Sequence, residues 1–179
     1  ELRALIINLN GQQRRIFDDY CERLLIDDGN SFYLYIAGAA GTGKSYLLRL
    51  MIDIVKHIKL KSGDELNKPP CIVMAPTANA AYIIHGKTVE AALGIMPRRE
   101  SAFNKVEQSK VSNLTFLYEN VEVIFCDEIS MVGSSKFTRI NFQLQDIKGS
   151  REFMGGLSFV AVGDFHQLPP VLEQYAYEN

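Results

Sequence analysis

The chain has 179 residues, 47% of them apolar and 22% charged, which suits one soluble globular domain with a full core. A net charge of −2 and a pI near 6.0 exclude a protein that coats nucleic acid by bulk charge, although a narrow strand-binding groove needs only a few local contacts. No stretch reaches the roughly 18 apolar residues of a membrane helix; the most apolar segment, 46–55, is interrupted by Arg49 and Asp53.

No basic region followed by a long apolar run opens the chain, so no signal peptide is expected. The first residue is Glu1 rather than Met, and the expectation is a piece of a longer polypeptide. Cys21, Cys71 and Cys126 share no metal-like spacing, and His57, His85 and His166 form no ligand pattern. Free core thiols in a reducing, intracellular compartment follow, nuclear if the source is eukaryotic, and no zinc site is expected.

In chain order, Asn10 caps a helix over 12–26 with Ile16, Phe17, Tyr20, Leu24 and Leu25 on one face, ended by Asp27, Asp28, Gly29 and Asn30. A short strand over 32–36 runs into glycines. A helix over 44–61 follows, with Leu47, Leu48, Met51, Ile54, Val55 and Ile58 at helical spacing. Beyond Pro69 and Pro70, 71–75 reads as a second strand and 79–85 as a short helix. The polar span 97–113 reads as a solvated surface excursion, or else as a DNA-facing insertion. A third strand over 121–126 ends at Asp127 and Glu128. Ser134 or Ser135 caps a helix ending near Gly149, and a fourth strand over 157–162 ends at Gly163 and Asp164. Strands alternating with helices predict an α/β fold: a mainly parallel sheet with helices on both faces.

Gly38-Ala39-Ala40-Gly41-Thr42-Gly43-Lys44-Ser45 fits the phosphate-loop pattern and lies between a predicted strand and a predicted helix. A chance glycine-rich turn would lack those flanks. Gly38, Gly41 and Gly43, with Thr42, let backbone N–H groups turn toward a phosphate, and the helix N-terminus adds partial positive charge. Lys44 reaches the β- and γ-phosphates of ATP, and the Ser45 hydroxyl ligates Mg²⁺. Behind such a loop, the strand ending in Asp127 and Glu128 reads as more than a pair of solvated acids. Asp127 is the second Mg²⁺ ligand and Glu128 the general base for attacking water, an arrangement that favours hydrolysis over transfer to a small-molecule acceptor.

The block Phe159-Val160-Ala161-Val162-Gly163-Asp164-Phe165-His166-Gln167-Leu168-Pro169-Pro170-Val171 resembles motif III of superfamily-one helicases of the Pif (petite integration frequency) and RecD-like group. Most of the chain is similar to that group's first RecA-like lobe, a P-loop NTPase fold. Leu9 to Gln13 resembles its entry motif, Ala75 to Ala81 motif Ia, Gly86-Lys87-Thr88 with Leu93-Gly94-Ile95 motif Ib, and Phe125 to Val132 motif II. Segments 140–149 and 153–156 resemble the connection between motifs II and III, in wording closest to copies in helitron-type transposons. The resemblance implies an ATP-dependent DNA helicase moving 5′-to-3′ on single-stranded DNA, in repair, recombination or telomere maintenance. It implies that Gln13 reads adenine and that Gln167 senses the γ-phosphate as a catalytic residue. Thr77, Thr88, Phe165 and His166 would lie against DNA.

It also implies a single lobe over 1–179, with arginine fingers supplied by a second RecA-like lobe, so the chain alone should bind nucleotide but turn it over very slowly. Two positions depart from the family pattern. Ala78-Asn79 replaces a glycine and a hydrophobic residue in motif Ia, and Glu90-Ala91 replaces His-Ser in motif Ib. Glu90 is expected to repel the DNA backbone. The rival readings are a ring-forming loader ATPase and a non-catalytic nucleotide- or DNA-binding module from a decayed mobile element.

Overall fold

Five parallel strands in the order β1-β5-β4-β2-β3 form the centre of the computed structural model, which describes residues 2–26, 29–59, 68–95 and 108–164. The strands are β1 (Tyr33–Ala37), β2 (Cys71–Ala75), β3 (Lys87–Thr88), β4 (Val123–Cys126) and β5 (Ser158–Gly163). β4 and β5 lie inside the sheet, and every residue of both is buried. Such strands are apolar on both faces, which is why 121–126 and 157–162 show no alternation in the sequence.

Successive side chains still divide between two cores. Phe125, Val160 and Val162 face α2 (Gly11–Leu25) and α3 (Lys44–Lys59), packing with Phe17, Tyr20, Leu48 and Met51. Ile124, Cys126, Phe159 and Ala161 face the opposite side, against Leu93 of α5 (Val89–Leu93), Tyr118, and Ile140 and Leu144 of α7 (Ser134–Lys148). Both buried tyrosine hydroxyls find backbone acceptors, Tyr20 on Met51 (3.3 Å) and Tyr118 on Ala92 (2.9 Å). Burying a side chain such as Leu48 or Ile140 contributes about 1.5–3 kcal/mol each, so the two layers, not helix propensity, hold the helices.

The structure corrects several expectations. α1 (Leu2–Ile7) and the two-residue β3 carry too little pattern to be read. Leu25 and Ile58, assigned to core faces, are exposed at the ends of their helices. The cap of α7 is Gly133, not Ser134 or Ser135, which are already helical. Of the excursion 97–113, residues 97–107 lie outside the described ones. The remainder begins α6 (Gln108–Leu117), a helix and not a loop. It is anchored by Leu114 and Leu117 against the α5–α7 core. Lys148 holds its end by donating to the carbonyls of Tyr118 (3.0 Å), Glu119 (3.4 Å) and Val121 (3.5 Å). Asp27, Asp28 and positions 60–61 also fall outside the described residues. Cys71 and Cys126 are buried free thiols, and Cys21 is partly buried. Among the described residues no helix is long and apolar enough to cross a membrane.

Candidate nucleotide site and strand-facing edge

The loop 38–43 joins the carboxyl end of β1 to the first turn of α3. Gly41 and Gly43 take φ values of 77° and 84°, which only glycine adopts without strain. A methyl group at Gly38 would lie 2.9 Å from Thr42 Oγ1, and one at Gly43 2.5 Å from Gln13 Nε2. Thr42 ties the loop together by donating its hydroxyl to the Ala39 carbonyl (2.8 Å). Lys44 folds back across the loop, its ammonium donating to the carbonyls of Gly38 and Ala39. Phosphate oxygens are stronger acceptors for a charged donor than amide carbonyls. Lys44 is therefore poised for exchange onto an incoming phosphate.

Asp127 and Glu128 follow β4. Asp127 is 5% exposed, and its Oδ1 accepts the Glu128 N–H (2.9 Å). Burial pushes the Asp127 carboxyl above the usual carboxylate range, against the opposing pull of the Glu128 N–H and the Lys44 charge. Glu128 is likewise raised, by burial first and then by the negative charges of Asp127 and Asp164, with Lys44 again opposing. Lys44, Asp127 and Glu128 thus sit within one another's fields. Ser45 and Asp127 line a single cleft of about 240 Å³ with Thr77, Ala80, Ile83, Glu128 and Met131. A hydroxyl and two carboxylates, all hard oxygen donors with surplus negative charge, fit Mg²⁺.

Glu128 adopts φ 51° and ψ 40°, the left-handed region, which costs a residue other than glycine about 1–3 kcal/mol. A 3₁₀ turn, Ile129–Met131, follows at once. Gly163, the last residue of β5, lies against it: an added methyl would meet Ile129 Cγ2 at 2.9 Å and the backbone nitrogens of Ser130 and Ile129 at 3.2 and 3.3 Å. Asp164, 6% exposed, brings a third acid toward Glu128. Sequence reasoning missed Asp164, Ala80, Ile83 and Met131 as site residues. Only the place of Asp164 at a strand's carboxyl end could have signalled one of them.

Thr77 caps α4 (Ala78–Ile83) by accepting the Ala80 N–H (3.3 Å), and it lines the cleft. Thr88 caps α5 by accepting the Ala91 N–H (3.2 Å). Glu90 is not a free charge: Lys136 of α7 pairs with it at 2.6 Å. Gln13 has both ends of its amide engaged, Oε1 by the Asn10 N–H (3.1 Å) and Nε2 by the Thr42 carbonyl (3.0 Å). Phe165, His166 and Gln167 lie outside the described residues.

A phosphate loop, an acidic strand end one strand removed from it and a parallel sheet in this order define a RecA-like nucleotide-binding lobe. The family model described as PIF1-like helicase matches residues 8–178, and the chain belongs to that family. It is 33% identical over 145 residues to the ATP-dependent DNA helicase PIF1 of Saccharomyces cerevisiae, covering 79% of this chain and 16% of that protein. It is 30% identical over 162 residues to the ATP-dependent DNA helicase Pif1 of Campylobacter jejuni, covering 87% and 32%. Among solved structures, the Pif1 helicase from Candida albicans superposes with a TM-score of 0.70 at 26% identity, over 96% of this chain and 36% of that one. Pif1 from Bacteroides in complex with ADP-AlF3 and ssDNA gives 0.62 at 30% identity, over 95% and 35%. The chain thus spans about a third or less of these relatives. Family membership sets aside the ring-loader reading.

Proposed function

We propose that residues 1–179 form the nucleotide-binding motor lobe of an ATP-dependent DNA helicase that moves 5′-to-3′ on single-stranded DNA. The observation that carries this is the convergence of Ser45, Asp127 and Glu128 on one cleft at the carboxyl edge of the sheet, with the Lys44 charge close enough to act on both carboxylates. Gly38, Gly41, Thr42 and Gly43 cradle the phosphates, and Lys44 neutralises the β- and γ-oxygens. Ser45 and Asp127 would hold Mg²⁺, which would supply positive charge against the charge developing on the phosphates. Glu128, aimed by its left-handed backbone, orients the attacking water and accepts its proton. Gln167 follows β5 and relays the state of the γ-phosphate. Thr77, Thr88, Phe165 and His166 are assigned to single-stranded DNA; that the Bacteroides Pif1 was solved with ssDNA supports DNA as the partner of this lobe.

A second RecA-like lobe closes the site and contributes an arginine finger, worth roughly 10³–10⁵ in rate. The chain alone therefore binds ATP and hydrolyses it slowly. In a polypeptide carrying both lobes, Glu128→Gln should leave the affinity for ATP within about twofold while lowering turnover roughly 10²–10⁴-fold. Isothermal titration and a DNA-stimulated phosphate-release assay read the two quantities. Undiminished turnover in that variant removes Glu128 from the mechanism, and brisk hydrolysis by the 179 residues alone removes the need for a second lobe.

A further inference from the structure

α4 is six residues long, and its end is finished from two directions. The last carbonyls of a helix have no partner within it. Three of them here are met by the turn that follows: Ala80 accepts the Ile84 N–H (3.3 Å), Tyr82 the His85 N–H (3.2 Å) and Ala81 the Gly86 N–H (2.8 Å). His85 enters the left-handed region, at φ 52°, to make that turn. The Ile83 carbonyl is met from another element. The Arg49 guanidinium of α3 donates to it through Nη2, across 34 residues of sequence.

This is not the partner that the local sequence offers Arg49. Asp53 stands four residues further along α3, at the spacing where a helix places opposite charges side by side. On α2, Arg14 pairs with Asp18 at that spacing and in that order (2.8 Å), and Arg23 pairs with Asp19 (2.9 Å). Among the described residues no ion pair joins Arg49 to Asp53. The guanidinium turns instead to a neutral carbonyl at a helix C-terminus, where partial negative charge favours a cation. Its direction is therefore set by the packing of α4 against α3, not by its own helix.

The tie joins two sides of the nucleotide cleft. Arg49 follows Ser45 by one helical turn, and Ser45 lines the cleft; Thr77, Ala80 and Ile83, at the two ends and the middle of α4, line it as well. α3 and α4 are thus two walls of one space, and Arg49 fastens one wall to the other. We propose that Arg49 is a positioning residue that couples the two ligands of the lobe, making a shift of the phosphate-loop helix a shift of α4 and hence of Thr77. The proposal rests on the readings of 38–45 as the phosphate site and of Thr77 as a strand contact. Such coupling is a difference in binding free energy and is reciprocal, so each ligand changes the other's affinity by the same factor.

The test uses a polypeptide carrying both lobes. Fluorescence anisotropy gives the affinity for a labelled single-stranded oligonucleotide with and without ADP-AlF3 and magnesium, and the ratio of the two is the coupling factor. Arg49→Met keeps the aliphatic stem and removes every donor, whereas Arg49→Lys keeps a charged donor for the Ile83 carbonyl. Arg49→Met should bind oligonucleotide without nucleotide, and ADP without oligonucleotide, within about twofold of the parent, while its coupling factor falls roughly three- to tenfold. Arg49→Lys should return the factor to within about twofold of the parent. An unchanged factor in Arg49→Met overturns the proposal. So does a loss of DNA affinity that is equal with and without ADP-AlF3, the mark of a helix that has only lost support. Failure of the lysine to restore a lowered factor overturns it as well. A parent whose DNA affinity ignores ADP-AlF3 brings down the underlying reading together with the tie. A coupled parent with an equally coupled Arg49→Met leaves that reading standing and removes the tie alone.

Discussion

Asp127 is held almost out of water beside a second carboxylate, and its charged form is consequently unfavourable. Burial lifts both Asp127 and Glu128 above their ordinary values of 3.8 and 4.5. The native state then retains protons that the unfolded chain has already released. Both groups subtract stability at neutral pH, and the deficit shrinks as pH falls through the raised native values toward 4.5 and 3.8. Asp127→Asn removes the buried charge yet keeps an Oδ1 that accepts the Glu128 N–H. It should raise the melting temperature at neutral pH, flatten the acid side of the stability profile and weaken magnesium-dependent ATP binding. Thermal denaturation across pH and titration with and without magnesium check this. A lowered melting temperature at neutral pH would show that the charge is already compensated within the chain.

At this scale the sequence was informative where chemistry dictates residue type. A phosphate loop needs glycines, a lysine and a hydroxyl in fixed order, so Lys44 and Ser45 were legible from spacing alone. The acidic strand end at Asp127 and Glu128 was legible from its place behind an apolar run, but the left-handed backbone of Glu128 was not. That conformation is imposed by the turn behind it and by its neighbours, not by its own preference. The partner of Glu90 was equally hidden, since Lys136 lies far along the chain and reaches it only through the packing of α7.

Among the elements, the contact between the end of β5 and the turn Ile129–Met131 joins two of the motifs mechanically. No side chain intervenes at Gly163, so the turn that aims Glu128 rests directly on the strand. Gly163→Ala should displace that turn by a few tenths of an ångström, cost about 1–3 kcal/mol of stability, and reduce turnover roughly tenfold through misplacement of Glu128. Nucleotide affinity should change little, because the phosphate loop is untouched. Urea unfolding together with separate determination of kcat and KM distinguishes these effects, and an unchanged kcat would mean that the turn adjusts without moving the carboxylate.

The parallel sheet was legible because strand-like and helix-like periodicities alternate with suitable lengths. α6 was not: its apolar residues show almost no helical periodicity, and its anchors, Leu114, Leu117 and the following Tyr118, acquire meaning only once α5 and α7 supply the other half of the core. β3 is two residues long and exists because it completes hydrogen bonds along β2, a cause that no local window contains.

For the molecule as a whole, the edge that carries Thr88 also holds a charge pair between Glu90 and Lys136. The Glu90–Lys136 pair occupies one cation that could otherwise meet a phosphate near Thr88. Glu90→Gln should release Lys136, tighten binding to single-stranded DNA and steepen the logarithmic salt dependence by about 0.7, the value for one additional phosphate contact on a single strand. Fluorescence anisotropy of labelled oligonucleotide over a series of salt concentrations measures the slope. An unaltered slope would place Lys136 outside the DNA path.

Lys44 has one more effect on how this molecule meets its ligand. A cation resting on two neutral dipoles is already ordered, so an arriving triphosphate finds its counterion within the loop and need not recruit one from solvent. Capture then becomes a swap of acceptors in place. A metal-free anion as small as pyrophosphate should trigger that swap as readily as the complete nucleotide does.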